Sequence, residues 1–222
     1  MARQVAAAKV QYLKIGFVPS AEIRIFPYIL PRLRVKLPKL QIRTLNLKES
    51  DQIAELKKGD LDIIFINQEF QNEVFASQLI LKEPLVFMLP KQHPFAKFEE
   101  IKLEQLKELE LTILSNKLSQ PLSKTILQYI EFNKIQFKTI HETNHIVDCI
   151  QAVNSGVSCA ILPSYMEALA TDQVIVKPLA KPLPSLDVFM AFNKNPPNQA
   201  TEQFLEEIRQ VFALDQFALY AS

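Results

Sequence analysis

His141, Glu142 and His145 stand in the stretch HETNH, a literal match to the H-E-x-x-H pattern of zinc peptidases. On an α-helix, histidines four residues apart share a face and can grip a zinc ion, while the glutamate between them activates a metal-bound water. The chemistry therefore requires a helix. Upstream, KIQFKTI (Lys134 to Ile140) is rich in β-formers and nearly alternating, which predicts a strand running into His141. Helical spacing starts only at Ile146, Val147, Ile150 and Val153, with Asn144 as the expected N-cap and Gly156 as the stop. His141 then ends a strand, His145 falls in a first helical turn, and the two imidazoles do not share a face. Glu167 is the one carboxylate on a plausible downstream helix that could complete a ligand set. HETNH reads as a strand-to-helix turn, with a metallopeptidase as the alternative, and no cofactor or metal is expected.

The other residues with chemical potential sit at turns that lead into helices: Pro19 and Ser20, Glu49 and Ser50, the loop Ser115 to Pro121, and Thr143 with Asn144. Each has an ordinary explanation as an N-cap, which contributes about 1 kcal/mol. In open parallel sheets, however, ligands bind beyond the carboxyl ends of the strands, where helix N-termini point free N–H groups outward. Together the four turns describe a place for a small polar or anionic molecule. The sequence has no nucleophile elbow and no glycine-rich phosphate loop, and His93 reads as a surface residue.

The elements that position these turns alternate between strand and helix. A strand (Tyr12 to Val18) precedes a helical stretch with Ile25, Ile29, Leu30 and Leu33 on one face. A strand (Leu40 to Leu47), a short helix (Asp51 to Lys58, Ile53 and Leu56 inward) and the continuous apolar run LDIIFI follow. A further strand, EPLVFMLPKQHPF, leads to a second unit: a helix near Lys102 to Lys107, a strand at Leu109 to Leu114, and a helix at Leu122 to Asn133. The turn at HETNH and the strand VSCAILP complete that unit. A strand (Leu186 to Phe192) and a helix (Gln199 to Phe212, with Phe204, Leu205, Ile208 and Phe212 as its stripe) close the chain. Strand, helix, strand in this order implies parallel sheets. Two such units suggest two lobes with a cleft between them. Gly59 and Gly156 both follow a helix and precede a buried strand, as left-handed C-caps do.

Composition excludes several classes. With 222 residues, 48% hydrophobic and 22% charged, the chain has a globular balance and length for two lobes of about 100 residues. A net charge of +1 lacks the basic footprint that gripping a phosphate backbone requires. Cys149 and Cys159 show neither paired-ligand spacing nor a disulfide framework and read as buried thiols in a reducing compartment. No run of about 18 uncharged apolar residues and no signal-peptide core occurs, so a cytoplasmic protein without membrane contact is expected.

The stretches LKIGFVPS, IFPYILPRLRVKLPKLQI, KKGDLDIIFI, EPLVFMLPKQHPFA and AVNSGVSCAILP resemble, in order and spacing, the effector-binding domain of LysR-type transcriptional regulators. The likeness runs from about residue 12 to 213, and FVPSAEIRIFP and LPSYMEALATDQVIVKPL look most like regulators of phenylpropionate and cinnamate catabolism. The resemblance implies an α/β, two-lobed, periplasmic-binding-protein-like (type 2) domain, each lobe a mostly parallel sheet flanked by helices. Lobe I would comprise residues 12–85 with 186–222 and lobe II residues 86–185. Residues 1–11, with RQVAAAK resembling the end of a linker, would lead from an N-terminal winged helix-turn-helix, through which alone DNA would be contacted. An aromatic or other carboxylic acid would bind between the lobes and alter the geometry of a dimer or tetramer. The effector contacts carried over are Ser20 and Ala21, Glu49 and Ser50, Asn67, then Ser115, Gln120 and Pro121, and Thr143 and Asn144. One departure stands out: Glu49 occupies a position that is frequently threonine in relatives. A carboxylate there would repel an anionic effector unless it points away and Ser50 supplies a hydroxyl. A solute-binding protein of a transport system shares the two-lobe logic and is the other alternative.

Overall fold

The computed structural model describes residues 11–115 and 120–212. In chain order the elements are β1 (Gln11–Phe17), α1 (Pro19–Arg24), α2 (Phe26–Lys36), β2 (Leu40–Asn46), α3 (Glu49–Lys58), β3 (Ile63–Ile66) and β4 (Phe75–Pro90). After them come β5 (Glu110–Leu114), α4 (Gln120–Phe132), β6 (Thr139–Thr143), α5 (Ile146–Asn154), β7 (Cys159–Pro163), β8 (Val174–Lys177), β9 (Ser185–Asn193) and α6 (Gln199–Phe212). Short 3-10 turns occupy Pro94–Lys97, Leu103–Glu108 and Ser164–Leu169. The chain divides into two compact units and passes between them twice, after Leu81 within β4 and after Asp187 within β9. The expected linker remnant at residues 1–11 lies outside the described residues except for Gln11.

In the first unit the strand order is β2-β1-β3-β9. β1 runs parallel to both β2 and β3, and β9 is antiparallel to β3. All four residues of β3 are buried, which is why its sequence is a continuous apolar run rather than an alternation. The core gathers Leu13, Ile15, Ile25, Ile29 and Leu33 with Phe204, Leu205 and Ile208 of α6. Its rings meet edge to face: Phe65 lies 5.8 Å from Phe26 and 6.2 Å from Phe204.

The second unit orders its strands β4-β7-β5-β6, with β8 pairing β4. β5 is parallel to β6 and β7, while β4 is antiparallel to β7 and β8. Phe87, Met88, Leu111, Ile113, Ile150 and Ile161 lie in its core together with both cysteines.

Several details depart from the sequence expectations. The first helical stretch breaks at Ile25, because Pro27 has no N–H to continue the ladder from α1 and instead opens α2. α3 begins two residues early, at Glu49, and turns Gln52 inward along with Leu56. The stretch expected as a helix near Lys102 is a 3-10 turn, and β8 has no counterpart among the expected strands. Gly59 and Gly156 do adopt left-handed backbone, with φ of 80° and 77°.

Candidate functional site

At the carboxyl end of β1 the chain turns through Val18 into α1, where Ser20 and Ala21 are buried. Val18 is the N-cap, in extended backbone, and no side chain caps the helix. At the next turn Lys48 is the N-cap of α3, again without a side-chain cap, so the expectation that Glu49 and Ser50 precede the helix as caps is corrected: both lie inside it. The N–H groups of Asp51 and Gln52 donate to the Lys48 carbonyl, and this closure draws Glu49 and Ser50 into the first turn.

The side chains of Glu49 and Ser50 then go separate ways. Glu49 Oε1 accepts from the backbone N–H of Asn67 at 2.6 Å, reaching from α3 to the residue that follows β3. Partial burial holds its carboxyl above the ordinary glutamate range, and the Asn67 hydrogen bond opposes that rise. Ser50 is exposed and its hydroxyl donates to Asp51 Oδ1 at 3.4 Å. Glu49, not Ser50, is therefore the residue directed at the strand ends.

One turn further along α3, Gln52 is fully buried. Its Nε2 donates to the Leu47 carbonyl at 3.0 Å, and its Oε1 has no hydrogen-bond partner. That oxygen packs against Gly16 of β1, where an added Cβ would meet Gln52 Oε1 and Leu61 Cδ1 at 2.8 Å each. Sequence reasoning missed Gln52. The available signal was the glycine inside a strand, which marks a close approach by another group.

In the second unit, β5 and β6 lie side by side with Leu114 opposite Thr143. Just past β5, the buried Ser115 donates its N–H to the Thr143 carbonyl at 2.8 Å. Ser123 of α4 donates its hydroxyl to the Leu114 carbonyl, which holds the start of that helix against the strand end. The Thr143 hydroxyl donates to Asp148 Oδ2 at 2.7 Å within the first turn of α5. Pro121 is half-buried and Asn144 exposed. The N-cap of α5 is His145, not Asn144 as expected, because the Thr143 and Asp148 side chains close the turn one residue later. The Gln120 side chain and the loop 116–119 lie outside the described residues. Ser20, Ala21, Glu49, Ser50 and Asn67 thus belong to the first unit; Ser115, Pro121, Thr143 and Asn144 belong to the second.

HETNH does form a strand-to-helix turn, but β6 begins only at Thr139 and carries on past His141 to Thr143, and His145 stands at the N-cap of α5 instead of in its first turn. His141, in the body of β6, sits with Nε2 2.9 Å from Glu110 Oε2 on β5. Glu110 also binds Lys138 at 2.8 Å, and Lys138 first, then His141, holds its carboxyl below the ordinary range. His145 has extended backbone beyond the strand, so the two imidazoles do not share a helical face. Among the described residues no group of three or more His, Cys, Asp or Glu side chains could hold a metal ion.

The model of the LysR substrate binding domain family matches residues 8–213. The chain belongs to this family. The Hca operon transcriptional activator HcaR of Escherichia coli (strain K12) is 27% identical over 201 residues, 90% of this chain and 68% of HcaR. The regulator AlsR of Bacillus subtilis (strain 168) is 25% identical over 205 residues, 92% of this chain and 68% of its own length. Among solved structures, the BenM effector binding domain with its effector benzoate superposes with a TM-score of 0.79 at 19% identity, covering 91% of this chain and 92% of that one, which shows a shared fold. This LysR domain is the effector-binding part of a transcriptional regulator and not an enzyme. Its two α/β units are those of the periplasmic-binding-protein-like fold. Among the described residues, no helix is long and apolar enough to cross a membrane.

Proposed function

We propose that this domain binds a small aromatic carboxylate and that binding changes the geometry of a dimer or tetramer, so controlling transcription through an N-terminal DNA-binding domain. The observation that carries the reading is the state of the helix starts. α3 and α5 each begin beside a parallel strand end without a side-chain cap, leaving first-turn N–H groups for a polar ligand. Ser20, Ala21, Asn67, Ser115, Gln120 and Pro121 with Thr143 and Asn144 are the proposed contacts around Glu49 and Ser50. The BenM domain of the same fold is a structure with benzoate, which supports an aromatic acid as the class. For the ligand to shift the assembly it must bind one state of the assembly more tightly than another. The transport-receptor alternative gives way to the family match, and the metallopeptidase to the extended backbone at His145.

The test is a thermal-shift screen against benzoate, cinnamate, phenylpropionate and muconate, with zinc and EDTA as controls. A ligand at about 100 times its Kd adds roughly 2.7 kcal/mol, which raises the midpoint of a domain this size by about 5 to 10 °C. A selective rise with one acid is expected, and EDTA should leave the midpoint unchanged. A panel in which no acid acts defeats the aromatic-carboxylate reading. Identical solution-scattering curves with and without a tightly bound acid defeat the proposed change in assembly.

A further inference from the structure

The face that α3 turns toward the strand ends of the first unit is built of hydrogen-bond acceptors. Glu49 places a carboxylate beside the residue after β3, and the N–H of Asn67, a donor suited to an effector's carboxylate, is engaged by Glu49 Oε1. The next inward residue, Gln52, points its carbonyl oxygen at β1 with no donor to meet it, while its amide nitrogen is bound to Leu47. Ser50, the one hydroxyl in this first turn, is turned to solvent. Ser20, Ala21 and Asn67 bring no positive charge to offset the carboxylate. A bare anion arriving here meets like charge and an occupied donor, both of which weaken binding. A hydroxyl or ammonium group meets a charge-assisted acceptor instead.

We propose that Glu49 is a specificity-determining residue that selects effectors carrying a hydroxyl or ammonium donor on the aromatic ring, remote from the carboxylate. This rests on the aromatic-acid reading above and narrows it. The effector is then bifunctional: its donor is read by Glu49, and its own carboxylate is left to partners outside this helix.

Calorimetric titration of the intact domain and of Glu49→Gln with matched ligand pairs tests the proposal. The pairs set benzoate and phenylpropionate against their ring-hydroxylated and ring-aminomethyl derivatives. Glutamine retains an oxygen for the Asn67 N–H, so the variant removes the charge and keeps the tie to β3. In the wild type at least one donor-bearing acid should bind roughly tenfold more tightly than its parent, as a charge-assisted hydrogen bond provides. In Glu49→Gln that preference should fall to about twofold or less, with the parent acid gaining affinity. Parent acids that bind the wild type at least as well as all their derivatives would overturn the assignment of Glu49 while leaving the aromatic-acid reading standing. An unchanged preference in Glu49→Gln would do the same. If no aromatic acid of either kind binds, the broader reading falls and takes this one with it.

Discussion

The backbone N–H of Asn67 donates to Glu49 Oε1 across 2.6 Å, fastening the first residue of α3 to the first residue beyond β3. A carboxylate used as a tie at a strand end is held partly out of water, and that fixes its response to pH.

Because burial raises the Glu49 pKa above its ordinary value of 4.5, the folded chain holds this proton more tightly than the unfolded chain does. The stability gained is fully present below the unfolded value and is lost as pH rises through the folded one. Glu49→Gln stays neutral throughout. Melting curves from about pH 4 to pH 7 should show the wild-type midpoint falling relative to the variant, with the gap opening above the ordinary glutamate value. Parallel curves would mean that the carboxyl is not shifted.

Glu207 of α6 is 1% exposed and faces α2, where Lys36 Nζ pairs with its Oε1 and Arg32 approaches to 4.0 Å. Gln203 Nε2 adds a contact at 3.4 Å. Removing Lys36 leaves a buried charge short of its main partner. Since Lys36 is itself 44% exposed, Lys36→Met should cost about 1 to 3 kcal/mol in urea unfolding, below the range for a fully buried pair. Adding Glu207→Gln should recover part of it, with a coupling of about 1 kcal/mol. Additive effects would show that the pair contributes nothing.

These two carboxylates mark where sequence reading runs out. Periodicity was enough for β3 and α6, because each buries a face or stripe that its spacing displays. It was not enough for the strand into His141: β6 spans Thr139–Thr143 and buries no face, so the alternation upstream of it did not mark its position. The break at Ile25 was also visible in principle, through Pro27. Glu49 and Gln52 were not legible as inward groups. Their spacing suits a solvated helix face, and their direction depends on where Asn67, Leu47 and Gly16 come to lie, residues distant in sequence or in other elements. Asn144 looked like a cap because its side chain suits the role, yet the Thr143 and Asp148 hydrogen bond moved the helix start by one residue.

Gly16 and Gly59 should fail differently when changed to alanine. Around Gly59 there is open space, so its cost is the left-handed backbone alone, about 1 kcal/mol. At Gly16 the new methyl collides with Gln52 and Leu61, an overpacking cost of about 1 to 3 kcal/mol. Displacing Gln52 also moves α3, so Gly16→Ala should weaken ligand binding in calorimetry while Gly59→Ala leaves the affinity unchanged. Equal affinities for both variants would separate Gln52 from the site.

Neither cysteine should react while the chain is folded. Cys149 is fully buried, and burial first, then the charge of Asp148, pushes its thiol up to about 12. Burial raises Cys159 further, and its Sγ donates to the Glu110 carbonyl at 3.2 Å. Thiolate is the reactive form, so at about pH 8 both thiols should resist a disulfide-exchange reagent in the native domain and react together in denaturant. Their labelling rate then reports opening of the second unit, whose core holds both residues. A ligand that binds the folded domain should slow labelling in proportion to its occupancy. Fast labelling of either residue in native buffer would show that the core around α5 and β7 opens far more readily than its packing implies.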